Sequence, residues 1–243
     1  MKARVLNYFL ILALCITATL VTSCSGQPAV TSEASLQAAY RHAIEDARLA
    51  EPDEISTNLV AITGYYKDLI WDGKPGQSRV LVVTWTSWDG YNSEVGESVN
   101  ITRAVWVTVV PEVKDFIEKN HLSDGALVLR MEQLLGLPPH NGKQWFVEMW
   151  VSPDDLFRPS PDPEITDHEA ELDFRWDAGA EYRQWFKNLQ TESYGENGYP
   201  WTRLGYTYDW GNSSSEVGLS EFVIGAGASA IIHSVANTRD YFK

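Results

Sequence analysis

Cysteine is nearly absent from this chain, whose 243 residues contain only Cys15 and Cys24. Cys15 lies inside an N-terminal apolar run, so a mature chain without that run keeps one thiol and forms no internal disulfide. The five histidines show no HExxH spacing, and one thiol cannot complete a Cys/His zinc set. We therefore expect no disulfide framework, no metal and no cofactor.

Basic residues are also scarce. Lys and Arg number 19 against 33 Asp and Glu, which gives a formal net charge of −14. Affinity for nucleic acid comes from Lys and Arg contacts to phosphate, so this balance argues against a nucleic-acid partner. It disfavours direct docking on anionic lipid for the same reason.

Catalytic signatures are lacking as well. The chain has no G-x-S-x-G nucleophile elbow, and Gly225-Ala226-Gly227 lacks the further glycine and the following helix of a phosphate-binding loop. Carboxylates are abundant, but the sequence does not place any two at the separation that glycoside hydrolysis requires. No catalytic residue is nominated, so a non-catalytic role is favoured while catalysis stays open.

The chain does have one long apolar run, from Val5 to Val21, preceded by Lys2 and Arg4. Thr22-Ser23-Cys24 follows it, and this order is typical of a secretory signal peptide. The segment resembles the lipobox of bacterial lipoproteins, a likeness that covers the leader alone. The resemblance implies removal of residues 1–23 and lipidation of Cys24 as the new N-terminus.

This resemblance predicts a cell-envelope protein that is held to a membrane by its lipid. Ser25 after the cysteine favours the outer membrane, facing the periplasm, in a Gram-negative organism. Two alternatives stay open: an uncleaved transmembrane anchor, and ordinary secretory cleavage near Ser23 that leaves a free thiol. Residues 24–31 are predicted to be a flexible spacer, and residues 32–243 a single globular domain.

Periodicity in that domain predicts an α+β fold, with a mainly antiparallel sheet and about four helices packed on it. Helices are expected over 32–50, from Pro111, from Ser123 or Asp124 to Leu135, and from a cap at Asp177. Strands are expected at 59–62, 79–86, 103–110, 145–151, 203–208, 219–224 and 229–235, the second of them closing a hairpin over the turn 72–76. The proline-rich segment 152–164 is expected to be irregular.

Ten tryptophans are present, and three of them lie in two segments that resemble each other. Residues 84–96 and 207–218 each leave an aromatic strand, pass a Trp/Asp pair and reach Ser-Glu-Val-Gly. One interpretation is a pair of related hairpin loops that line one ligand site with Trp88, Asp89, Asp209 and Trp210. The alternative is chance recurrence of turn-compatible residues.

The densest acidic stretch, 162–173, contains His168 between two carboxylates. It departs from the EF-hand pattern at the required glycine and at the final glutamate, so a solvated acidic loop is preferred to a calcium site. The function expected from these observations is non-catalytic binding of a glycan, a peptide or a partner protein. The alternative is an envelope hydrolase that uses carboxylates with His168.

Overall fold

The computed structural model describes residues 32–122 and 124–243. Its central layer is a β-sheet that is formed by apolar segments with strand periodicity. The predicted leader 1–23, the predicted lipidation site Cys24 and the predicted spacer 24–31 lie outside the described residues. The strands are β1 (Val80–Thr86), β2 (Ser98–Asn100), β3 (Val105–Val109), β4 (Trp145–Val151), β5 (Leu156–Phe157), β6 (Tyr206–Tyr208), β7 (Val217–Ser220), β8 (Phe222–Ile224) and β9 (Ser229–Asn237).

Seven of these strands form one sheet in the order β2-β9-β4-β1-β3-β8-β5, and each neighbouring pair is antiparallel. Strands β6 and β7 form a separate antiparallel hairpin. The helices are α1 (Glu33–Asp46), α2 (Val110–Lys119), α3 (Asp124–Leu134) and α4 (Ala180–Ser193). The predicted α+β class is therefore confirmed. Among the described residues, none of the helices combines the length and the apolar composition needed to cross a bilayer.

The sheet is buried on both faces, which explains why its central strands are apolar at nearly every position. Val147 and Met149 of β4 point to one face, which packs against coil residues such as Ile62 and Ile165. Alternate residues point to the other face, here named the helix face, where α2 and α3 pack. Its core residues include Leu81, Val83, Trp85, Val113, Met131, Leu134 and Phe146.

The residues predicted to mark the start of α2 and the end of α3 lie at those helix ends in the structure. Pro111 occupies the first turn of α2, where its missing N–H costs no intrahelical bond. Gly136 follows α3 with a φ of +61°, the left-handed conformation that glycine adopts most readily after a helix. Helix α4 differs from the prediction. Its N-cap is Gly179, because the Asp177 carboxylate is engaged at 2.9 Å by Arg175.

The predicted strand 219–224 is divided in the structure. Leu219 and Ser220 end β7 in the small hairpin, whereas Phe222 begins β8 in the main sheet. Glu221 is the residue between them, and its backbone N–H donates to the Gly205 carbonyl at 2.9 Å. The division lets one continuous apolar segment serve two sheets and places a single carboxyl at their junction.

Three further expectations need correction. The segment 59–62, expected to be a strand, has no strand structure. Segment 152–164 was expected to be irregular, but it contains a 3₁₀ turn (Pro153–Asp155) and the edge strand β5. The two similar segments are not both hairpins. Segment 207–218 connects the paired strands β6 and β7, whereas β1 pairs with β3 and β4, and β2 pairs with β9. The hairpin interpretation is therefore wrong for segment 84–96.

Candidate functional site

The most distinctive polar side chain of the sheet is Glu221, which lies on the helix face. Val223 of β8 pairs with Trp106 of β3, so their side chains share a face. Side chains alternate along a strand, and Glu221 therefore points to the same side as Val223. It reaches a cavity that the packed helices α2 and α3 leave unfilled.

This cavity, here named the aromatic cavity, has a volume of about 570 Å³. The sheet contributes one wall, which includes Trp85, Trp106 and Thr108. The opposite wall comes from the end of α4 and the segment that follows it, including Leu189 and Trp201. A volume of this size lies within the range of about 300–1,000 Å³ that small-molecule sites occupy.

Hydrogen bonds and ring packing hold the aromatic walls in place. The Trp85 indole N–H donates to Thr238 Oγ1 at 2.9 Å, and the ring stacks on Phe146 with centroids 5.5 Å apart. The Trp201 indole N–H donates to the Pro159 carbonyl at 3.1 Å, and its ring meets Trp106 edge to face at 6.3 Å. The rings are thus positioned before any ligand arrives, which lowers the entropic cost of binding.

Two aromatic side chains of the cavity are partly open to solvent and mark its rim. Trp88 is 52% exposed and contacts Tyr91 edge to face, with centroids 4.5 Å apart. Tyr199 is 50% exposed. Exposed rings of this size at the edge of a concave site are typical of ligand contact.

The Glu221 carboxyl has no hydrogen-bond or ion-pair partner among residues 32–122 and 124–243. Burial raises the pKa of this carboxyl to about 8, and no neighbouring charge contributes to the shift. The adjacent Glu112 is different. Burial also raises its pKa, but its carboxylate accepts bonds from the Ser220 N–H, the Ser220 hydroxyl and Thr108 Oγ1. Glu112 is therefore satisfied within the fold, whereas Glu221 is left for water or a ligand.

The cavity is also lined by three other charged groups, Lys143, Arg103 and Glu192. Lys143 Nζ donates to the Trp85 carbonyl at 2.8 Å, and burial lowers the pKa of this amine. Burial raises the pKa of Tyr91, and the exposed Arg103 offsets part of that rise. Glu192 lies exposed at the end of α4. None of these charges contributes to the pKa shift of Glu221.

The structure separates the four residues predicted to share a ligand site. Trp88 lines the aromatic cavity, and the neighbouring Asp89 is exposed. Asp209 is buried and accepts two bonds from Arg130, at 2.8 and 2.6 Å. Trp210 lines a second, more open groove between α1 and residues 208–216, where its indole N–H donates to the Leu137 carbonyl at 3.0 Å. Only Trp88 of the four belongs to the cavity that contains Glu221.

The acidic segment 162–173 wraps a buried arginine. Arg158 is fully buried, and its guanidinium donates to the Glu164 carbonyl at 3.1 Å and the Asp167 carbonyl at 3.0 Å. The exposed His168 donates from Nδ1 to the Leu59 carbonyl, 2.7 Å away. Part of the acidic segment therefore faces the protein interior, where its carbonyls bind the Arg158 guanidinium. Within the described ranges, no three His, Cys, Asp or Glu side chains converge as a metal site.

Comparison with known proteins adds no class to this geometry: the chain matches no family model, no curated protein and no solved structure. The assignment of function therefore depends on the cavity and on the sequence.

Proposed function

We propose that this protein is a lipid-anchored envelope protein that binds a small ring-containing ligand in the aromatic cavity. The single observation that carries the proposal is the unpartnered Glu221 carboxyl inside a preformed cavity with indole walls. Because the half-buried Glu221 carboxyl has no partner among the described residues, its oxygens are left for water or a ligand. A ligand that pairs with Glu221 and packs against the indole rings uses both the carboxyl and the aromatic walls of the cavity.

The geometry favours binding over hydrolysis. Hydrolysis by two carboxylates requires a second carboxyl within about 5–10 Å of the first. The adjacent Glu112 is hydrogen-bonded to Ser220 and Thr108. Glu192 lines the same cavity but lies exposed at the end of α4 and does not contribute to the pKa shift of Glu221, so neither carboxyl is positioned by the fold as a second catalytic group. His168, the residue named for the hydrolase alternative, is held by a backbone carbonyl and does not line the cavity.

Cavity size narrows the ligand classes that the sequence left open. A volume of about 570 Å³ suits a small molecule, or a single terminal residue of a glycan or peptide. The Trp88 and Tyr199 rings at the rim are suited to stack on a planar or cyclic group.

The membrane anchor is part of the same proposal. In this proposal a lipid on Cys24 tethers the binding domain to the bilayer. Replacing Cys24 with alanine is expected to move the protein from the membrane pellet to the soluble fraction and to abolish fatty-acid labelling. Membrane retention without labelling would contradict lipidation and favour a transmembrane anchor.

Binding is tested by tryptophan emission of the full-length protein in nonionic detergent, titrated with envelope glycans, small cyclic alcohols and small cyclic amines. The substitutions Trp88→Ala and Trp176→Ala form a matched pair, because Trp176 is 91% exposed and does not line the cavity. Trp88→Ala is expected to weaken binding by about fivefold to tenfold, as for loss of one stacked ring, and Trp176→Ala to leave affinity unchanged. Equal effects of the two substitutions, or no emission change with any ligand, would refute the proposed function.

A further inference from the structure

We infer that the ligand of the aromatic cavity is an organic cation, whose ammonium group pairs with Glu221 while its apolar part packs on the indole rings. This inference rests on the proposed function and deepens it by naming the chemical class of the ligand. Four observations support it, and each concerns a different property of the cavity.

The first observation is the missing counter-charge. The half-buried Lys143 donates to the Trp85 carbonyl, and the exposed Arg103 acts on Tyr91. Neither lowers the pKa of Glu221. Within the described residues, an ionised Glu221 therefore has no cation to pair with, and the partial loss of hydration in this cavity makes such an unpaired charge unfavourable.

The second observation is the chemistry of the walls. Ring faces of tryptophan and tyrosine carry negative potential and attract cations within about 6 Å of the ring centroid. The cavity is lined by Trp85, Trp88, Trp106, Trp201 and Tyr199 as well as by Glu221. Rings and a carboxylate together favour an ammonium group with attached carbon over a bare metal ion, which requires several oxygen ligands.

The third and fourth observations are the electrostatic attraction of cations to the protein and the accessibility of the carboxyl. A formal net charge of −14 attracts small cations to the protein and raises their local concentration. The carboxyl itself is partly accessible and borders the cavity, so a ligand reaches it without local unfolding.

The inference has a characteristic pH dependence. Free Glu221 is protonated below its pKa of about 8, and a cation binds the ionised form. Cation affinity is therefore expected to rise by about 50-fold between pH 6 and pH 8 and to level off above it. A neutral ligand that accepts a hydrogen bond from protonated Glu221 gives the opposite profile, with affinity falling above pH 8.

Other titratable groups of the cavity are distinguished by substitution. These groups are Tyr91, Arg103, Lys143, Glu192, Tyr199 and Tyr208. Burial raises the pKa of Tyr91 and Tyr208, which keeps both phenols neutral across this range, whereas it lowers the pKa of Lys143. If Lys143 causes the pH dependence of cation affinity, that dependence persists in Glu221→Gln. If Glu221 causes it, the dependence is lost in this variant.

The experiment compares matched probes: cyclohexylammonium with cyclohexanol, and choline, whose charge is permanent, with its uncharged tert-butyl isostere. For the wild-type full-length protein at pH 8.5, each cation is expected to bind at least about tenfold more tightly than its neutral partner. Glu221→Gln is expected to remove this preference and the pH dependence. Glu118→Gln, on the exposed face of α2, makes the same change in net charge and is expected to retain both.

The outcomes separate the two proposals. Equal or tighter binding of the neutral probes overturns the cation inference and leaves the binding function standing. Cation affinity that does not change between pH 6 and pH 8 in the wild type also overturns it, and this test needs no substitution. If neither member of either pair changes the tryptophan emission, and the glycans also fail, the binding function itself is refuted.

Discussion

Replacing Glu221 with glutamine is expected to stabilise the protein by an amount that grows with pH. The folded-state pKa of about 8 lies above the ordinary carboxyl value of 4.5, so the folded protein holds a proton that the unfolded chain has released. The wild type therefore loses stability as pH rises from about 4.5 to about 8, and the loss is constant above that range. Glutamine has the same shape and does not ionise, so the variant lacks this loss.

The magnitude follows from the displacement of the pKa. At about 1.4 kcal/mol per pKa unit, the cost of ionising Glu221 is about 1 kcal/mol at pH 5, about 3 kcal/mol at pH 7 and close to 5 kcal/mol at pH 9. Water in the cavity solvates the carboxylate and reduces these figures. The expected increase in the stability difference between variant and wild type, from pH 5 to pH 9, is thus between about 1 and 4 kcal/mol.

Urea unfolding followed by tryptophan emission at pH 5, 7 and 9 measures this difference. All other titrating groups are common to the two proteins, so their contributions cancel. A stability difference that is the same at every pH would refute the claim that the Glu221 carboxyl is desolvated. A difference that shrinks as pH rises would show that this carboxylate is instead stabilised by a partner.

Three further predictions concern the fold around the site. Arg130→Ala removes both guanidinium bonds of the buried Asp209 carboxylate, which then keeps only the Gly211 N–H as a donor, and is expected to cost about 3 kcal/mol in urea unfolding. Arg175→Ala breaks an exposed pair and is expected to have no measurable effect, and equal losses would contradict the importance of burial. Burial raises the pKa of Glu148, but bonds from Lys114, Tyr241 and Ser234 outweigh it and lower that pKa, so the stability it contributes is present at pH 7 and lost as pH falls below the ordinary carboxyl value. Thermal melts of Glu148→Gln are therefore expected to lie below the wild type at pH 7 and to approach it at pH 3; a constant gap would count against this assignment. Gly136→Ala forces a Cβ into a left-handed backbone position 3.3 Å from the Tyr208 carbonyl oxygen. This substitution is expected to destabilise the protein by about 1 kcal/mol in urea unfolding, whereas a neutral effect would mean that the turn after α3 adjusts.

Local sequence signals predicted the elements that depend on local chemistry. Pro111 indicated the start of α2, and the alternating apolar run at 145–151 indicated β4. The class followed from strands that outnumber helices without regular alternation. These features depend on residues a few positions apart, which is why a single sequence is sufficient for them.

The candidate site depends on contacts between distant segments and was not predicted. Glu221 is one acid within the apolar run Leu219–Ile224, and a period-two pattern does not reveal whether its face meets solvent or a cavity. Asp209 was predicted to contact ligand because it lies beside a tryptophan in a loop. Its partner Arg130 is 79 residues away in the chain, and that pairing buries it. A lone carboxyl in an apolar strand is the signal that could have pointed to the cavity.

The membrane anchor stays a prediction from the leader sequence, because Cys24 lies outside the described residues. Lipidation of Cys24 and ligand binding in the cavity are separate predictions, and either can hold without the other. A domain that is released from the membrane by Cys24→Ala should bind the same probes with the same affinity.

Proton release on binding tests the central claim most directly. At pH 7, about nine-tenths of the free Glu221 carboxyls are protonated, and pairing with a cation expels that proton. Calorimetric titration of the wild type with choline, in buffers that differ in ionisation enthalpy, is expected to show release of about 0.9 proton per bound cation. Binding without proton release, or proton uptake, would contradict the pairing of Glu221 with a cationic ligand.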